Sequence, residues 1–185
     1  MRALVKTFGS AAAKASLIAA ISVAAIASGA AQAATQGTLG ATSTGTVVIT
    51  ASVPNRTRIT GLTDVAFLNQ DPETAASSAQ NVCVWSNTAT KGYTVTATGS
   101  GASNAFTLAN GALTVPYSVQ WNAASGQTSG DALATGSASV GQVSTATHQS
   151  CATGPATTSS LVVGISTADL GSMVSATTYT GTLTL

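Results

Sequence analysis

Charge is scarce in this chain: six Lys and Arg, five Asp and Glu and a single histidine among 185 residues. Past the N-terminal segment three bases (Arg56, Arg58, Lys91) face five acids (Asp64, Asp71, Glu73, Asp131, Asp169), a net charge of −2. Nucleic-acid binding needs a basic footprint that displaces counterions, and this balance excludes one. Five scattered carboxylates offer little to glycoside hydrolysis, which uses a facing pair. Nucleophilic hydrolysis needs a base placed beside Ser or Cys. His148 is the sole imidazole, and no G-x-S-x-G elbow occurs. Gly99-Ser100-Gly101 lacks the Lys and the spacing of a phosphate loop and reads as a turn. Asn69, Asp71 and Glu73 alternate along a polar stretch, but the D-x-D-x-D-G pattern of a calcium loop is missing, so a solvated loop is the better reading. The expectation is a protein that is not an enzyme and carries no cofactor and no metal.

Long apolar runs are also missing, with one short exception at the start. Arg2, Lys6 and Lys14 precede an almost uninterrupted apolar stretch from Ala15 to Ala27. About a dozen residues fall short of the ~20 that a membrane-spanning helix needs, but they suit a signal-peptide core. Ala31-Gln32-Ala33 supplies an A-x-A cleavage pattern, which predicts a signal peptide over 1–33 and a mature chain from Ala34. An uncleaved anchor is the alternative, disfavoured by the apolar length. The prediction is secretion through a periplasm, with no stable membrane span. About 150 residues remain, enough for one domain, 34–185.

Cysteine appears only as Cys83 and Cys151. In an oxidising compartment two thiols most simply form one disulfide. A zinc pair or a catalytic thiol are the alternatives; zinc would need further ligands, with His148 the one candidate imidazole.

What the chain has in quantity is Ser and Thr, roughly a third of the mature residues, set among alternating apolar positions. Thr46-Val-Val-Ile-Thr-Ala-Ser-Val53 is rich in β-branched residues and stops at Pro54-Asn55. Asn81–Trp85 reads as a strand, and Tyr93, Val95 and Ala97 alternate with Thr94, Thr96 and Thr98. Leu113, Val115, Tyr117, Val119 and Trp121 alternate for nine positions. Their partner is Phe106-Thr107-Leu108, joined through Ala109-Asn110-Gly111-Ala112 as a hairpin. Pro116 inside that strand predicts an edge or a bulge. Leu161, Val163 and Ile165 form another strand, Ala168–Met173 a helical turn or loop, and Tyr179–Leu185 a closing strand. No repeat of fixed period occurs. Seven or so short strands predict an all-β sandwich or barrel. The threonines that alternate with Tyr93, Val95 and Ala97 read as the water-facing side of an ordinary strand.

Three stretches, in order, resemble bacterial fimbrial subunits of the chaperone–usher type, alternate (colonization-factor) class. They are Val47-Val-Ile-Thr-Ala-Ser-Val53-Pro54, then Leu113-Thr-Val-Pro-Tyr-Ser-Val-Gln-Trp121, then Leu161-Val-Val-Gly-Ile165 followed by Tyr179-Thr-Gly-Thr-Leu-Thr-Leu185. Related spore-coat-U-like secreted domains carry disulfides. The resemblance implies an incomplete immunoglobulin-like β-sandwich completed by strand exchange with neighbouring copies or other fimbrial subunits, in a surface fimbria or pilus that supports adhesion. A periplasmic chaperone and an outer-membrane usher would be its partners. On this reading Val47, Ile49 and Val53 serve as assembly strand at one end, and Tyr179, Leu183 and Leu185 border the groove. The extension 34–45 would be the donor arm, although Leu39 is its only large apolar residue, so the alternative is a donor reaching into Val47–Val53. The rival function is a monomeric secreted β-sandwich binding glycan or matrix, with Trp85 and Trp121 as stacking platforms, against which a core role for each tryptophan is weighed.

Overall fold

The computed structural model describes residues 33–185, so the expected leader lies outside the described residues, Ala33 apart. The described residues fall into two units, one ending at Ser52 and the other spanning Val53–Leu185. In the first, Thr35 and Thr46 form one antiparallel bridge, each N–H donating to the other's carbonyl at 3.0 Å. Residues 47–56 form no strand. This corrects the expectation of a strand over 46–53. The β-branched composition suits a pleated surface, but a strand also needs a ladder partner, and among the described residues the run 47–53 has none.

The second unit is built of β1 (Thr57–Thr60), β2 (Ala76–Ser86), β3 (Gly92–Tyr93), β4 (Thr98–Gly99), β5 (Thr107–Asn110), β6 (Leu113–Pro116), β7 (Ser118–Asn122), β8 (Asp131–Ala132), β9 (Gln142–Val143), β10 (Ser159–Ile165), the short helix α1 (Thr167–Gly171) and β11 (Leu183–Thr184). The protein is therefore mostly β, with antiparallel sheets. Five strands form the main sheet in the order β1-β2-β10-β7-β8, and β3-β9, β4-β11 and β5-β6 pair in twos.

The long strand β2 organises the main sheet by serving two partners. Its first part, Ala76–Val82, pairs with β10, and its last four residues, Cys83–Ser86, pair with β1. The pleat turns Val82 and Val84 into the main core, while Cys83 joins Ala146, Cys151 and the half-buried Trp85 in a small second cluster. The Cys83–Cys151 disulfide is formed, with Cα atoms 6.1 Å apart.

The hairpin expected around Asn110-Gly111 is present, with Asn110 opposite Leu113 and Gly111 at φ +58°, a conformation glycine adopts without strain. The nine-residue strand expected over 113–121 is interrupted. β6 ends at Pro116, whose missing N–H cannot continue a ladder. Tyr117 donates its N–H to the Phe106 carbonyl at 2.9 Å, and the chain then enters the main sheet as β7. The strand that carries Pro116, β6, pairs only with β5 and so is an edge as expected, whereas β7 beyond the break lies between β10 and β8.

Buried hydroxyls in β10 are all engaged. Ser159 Oγ lies 3.0 Å from Tyr93 Oη, and Ser160 Oγ lies 3.0 Å from Asn81 Oδ1, the Ala124 carbonyl and the Gln127 N–H. Two serines therefore sit in the centre of a sheet without an unmet polar atom. The turn expected over 168–173 is α1, where the Ser166 hydroxyl caps the helix by accepting from the Asp169 N–H at 3.2 Å.

Candidate functional site: a cleft between two open strand edges

The segment Tyr93–Ala97 alternates as its sequence requires: Tyr93, Val95 and Ala97 are buried, Thr94 and Thr96 exposed. Its odd positions spend their backbone groups in one direction. Lys91, Val95 and Ala97 carbonyls accept from the N–H groups of Ser144 (2.9 Å), Ser139 (2.8 Å) and Gly136 (2.8 Å), and the Val95 N–H donates to Ser139 Oγ at 3.0 Å. Alternation then turns the N–H and C=O of Thr94 and Thr96 the other way. β11 takes up that direction only as far as Thr98, opposite Thr184. Thr96 stands opposite Ala138 in an antiparallel bridge, but among the described residues the N–H and C=O of Thr94 and Thr96 make no backbone hydrogen bond.

β1 presents a second open edge. The Arg56 carbonyl accepts from the Asn87 N–H at 3.1 Å, which puts Arg56, Arg58 and Thr60 on the side of β2. Thr57 and Ile59 point their backbone groups away from it, at the end of the sheet. Between these edges lies a cleft of about 180 Å³. Ile59, Val84, Tyr93, Val95 and Leu185 give it an apolar lining, with Thr57, Thr94 and Thr96 along the rims. The slot is apolar at its floor and is bordered by backbone N–H and C=O groups of Thr94 and Thr96 that make no backbone hydrogen bond among the described residues.

A second, shallower groove of about 270 Å³ lies over β7, β10 and the start of β2. Ser77, Ser118, Gln120 and Thr128 line it, and Gly164 keeps it open, since a Cβ there would come within 3.2 Å of Ser118 Oγ. Ala75, Ala76, Val162 and Ile165 complete its lining, so the groove is mixed in polarity.

The residues singled out in the sequence are dispersed by the structure. Val47, Ile49 and Val53 are 75%, 89% and 80% exposed, and Leu39 is fully exposed. Leu185 lines the cleft, Leu183 pairs with Gly99 beside it, and Tyr179 is buried in the core, its hydroxyl accepting from the Val174 N–H at 3.2 Å. Trp121 is 1% exposed and presents no ring face to a ligand; its indole N–H points at Tyr93 Oη, 3.4 Å away. Trp85 is half-buried against the disulfide, opposite Arg58 on β1. Ile59, Val84 and Val95 were not singled out in the sequence. The alternation at 93–97 identifies the inward residues, but nothing local shows that Ile59, Val84 and Leu185 gather beside them.

His148 Nδ1 lies 2.9 Å from Ser150 Oγ in an exposed loop. Asp71 Oδ1 accepts from the Glu73 N–H at 2.9 Å. Among the described residues, no three of His, Cys, Asp and Glu gather as a metal site, and no helix is long and apolar enough to cross a membrane. Compared with known protein families, curated proteins and solved structures, the chain matches none.

Proposed function

We propose that this chain is a non-enzymatic structural subunit of a surface fimbria or pilus, an incomplete immunoglobulin-like β-sandwich that assembles by strand exchange. The observation that carries the reading is the exposed β-branched run Val47–Val53. Each large apolar side chain in it gives up about 1.5–3 kcal/mol by staying in water. Such a run, unpaired, invites association with a strand edge. The apolar cleft with its two open edges supplies a matching acceptor. Secretion through the periplasm, delivery by a chaperone and an usher, and a role in adhesion belong to the same reading and are supported by the leader-like start and by the resemblance of the three sequence stretches. A monomeric glycan-binding sandwich is the weaker alternative, because it loses Trp121 as a platform.

The test is self-association of the mature chain, residues 34–185, by sizing and electron microscopy over a hundredfold range of concentration. Ordered oligomers that disappear in Ile49→Asp are expected. A stable monomer at every concentration, melting in one transition unaffected by added Val47–Val53 peptide, would overturn the proposal.

A further inference from the structure

We infer that the Cys83–Cys151 disulfide is a reducible latch on the loop 145–157: cleavage by a dithiol frees this loop and uncovers Trp85 while the sheets stay paired.

The loop joins β9 to β10, and both of its ends are fastened to Val84 of β2. Ser144 donates its N–H to the Lys91 carbonyl at 2.9 Å and its hydroxyl to the Val84 carbonyl at 2.5 Å. Thr158 donates its N–H to the Val82 carbonyl at 2.8 Å, and its hydroxyl oxygen accepts the Val84 N–H at 2.9 Å. Both anchors are buried. The residues between them make an excursion whose ends lie together, an Ω-loop.

Within that excursion the hydrogen bonds stay local. The Ala146 N–H meets Ser144 Oγ at 3.0 Å, and Thr147 Oγ1 donates to the Thr153 carbonyl at 2.9 Å. The Ser150 N–H reaches His148 Nδ1, and the Cys151 N–H reaches the His148 carbonyl at 3.0 Å. Among the described residues, no hydrogen bond runs from 145–157 to a segment beyond Ser144 and Thr158. Burial adds little, because Ala146 and Cys151 are the buried residues of the loop. One methyl group and one sulfur make a small hydrophobic hold. The covalent bond to Cys83 therefore carries the attachment of the loop's centre. Cys151 also has φ +51°, a left-handed conformation that crowds its Cβ and is disfavoured once nothing holds it.

Beneath the loop lie Cys83, 2% exposed, and the half-buried Trp85, on the same face of β2. Opening turns this covered ground into free surface beside Arg58, which stands directly opposite Trp85 on β1. The clamps at Val84 do not involve the disulfide, so they keep the sheet closed while the loop leaves.

Cys151 is the more exposed of the pair, 8% against 2%, so attack falls on its sulfur. One thiolate of the dithiol bonds to Cys151 Sγ; Cys83 Sγ leaves with the electron pair of the S–S bond and takes up a proton. The second thiolate of the dithiol then attacks the first, displacing Cys151 Sγ, which is protonated in turn. The dithiol ends as its own disulfide, and the electrons and protons it loses reside on the two cysteines.

The experiment follows amide exchange residue by residue in the ¹⁵N-labelled, oxidised chain, before and after dithiothreitol is added without denaturant. Intact mass verifies that both thiols have formed. Exchange at the Cys151 amide is expected to quicken at least tenfold, while Val84, Thr158 and Val162 stay within about twofold, the pattern of a local opening. The indole N–H signal of Trp85 should shift, and that of Trp121 in the core should not. A chain carrying Cys83→Ser and Cys151→Ser should show fast exchange at position 151 from the start and be indifferent to dithiothreitol. A bridge that dithiothreitol opens only in denaturant overturns the inference, because the latch is then out of reach. So does a reduced chain whose Cys151 amide stays slow, since packing then holds the loop. Loss of protection at Val84, Thr158 and Val162 together with the loop overturns it as well, since the bridge then holds the whole domain.

Discussion

Trp121 and Tyr93 meet edge to face in the core, ring centroids 6.5 Å apart, and the Tyr93 hydroxyl stands between the Trp121 indole N–H and Ser159 Oγ. The same tyrosine ring lines the cleft. The wall of the candidate site is thus braced from behind by three buried polar atoms that satisfy one another.

Tyr93→Phe keeps the ring and removes that brace. Trp121 Nε1 and Ser159 Oγ are then buried without their partner, at a cost of about 1–3 kcal/mol. Urea denaturation should show a lower midpoint with an unchanged slope. A midpoint equal to wild type would mean that water replaces the hydroxyl at no cost.

Replacing Cys83 and Cys151 together by alanine, or reducing them, opens a loop of 68 residues. In the chain-entropy account this removes about 4 kcal/mol by freeing the unfolded chain. Denaturation with and without reductant measures it directly. The double variant should be insensitive to reductant and should match the reduced wild type.

The elements legible in the sequence were those set by short-range rules. Alternation at Tyr93, Val95 and Ala97 gave their burial, Asn110-Gly111 gave the hairpin, and two cysteines in a chain with a leader-like start gave the bridge. Pro116 signalled a break, but that β7 beyond it would be interior depends on β8 and β10, which are remote in sequence. Ser159 and Ser160 look like surface residues and are buried, because Asn81, Tyr93 and Gln127 reach them from other segments. The cleft was invisible for the same reason: Ile59, Val84, Val95 and Leu185 line it from segments remote in sequence.

Tyr117 gives a pH-dependent prediction. Its hydroxyl is buried without a hydrogen-bond partner, and burial raises its pKa above the usual 10.0. The folded state holds the proton more tightly than the unfolded state, so this contribution to stability is fully present below pH 10 and is lost as pH rises through the folded value. Tyr117→Phe removes the orphaned hydroxyl and should be neutral or slightly stabilising at pH 7. Above pH 10 its melting temperature should fall less steeply than that of wild type. Parallel curves across that range would mean the hydroxyl is not desolvated.

Two serine-to-alanine changes on neighbouring strands should separate by burial alone. Ser160 Oγ is fully buried and takes the Gln127 N–H at 3.0 Å, while Asn81 beside it takes the Gly126 N–H at 2.6 Å. Ser160→Ala strands the Gln127 amide and the Ala124 carbonyl, costing about 1–3 kcal/mol. It should also speed exchange at the Gln127 amide. Ser118 is exposed, and its hydroxyl only donates to the Gly164 carbonyl at 3.2 Å, where water can substitute. Ser118→Ala should therefore stay within about 0.5 kcal/mol of wild type, as most surface changes do. Equal losses from the two would mean that the 122–130 loop is not held by Ser160, and that the main sheet is closed on this face by packing alone.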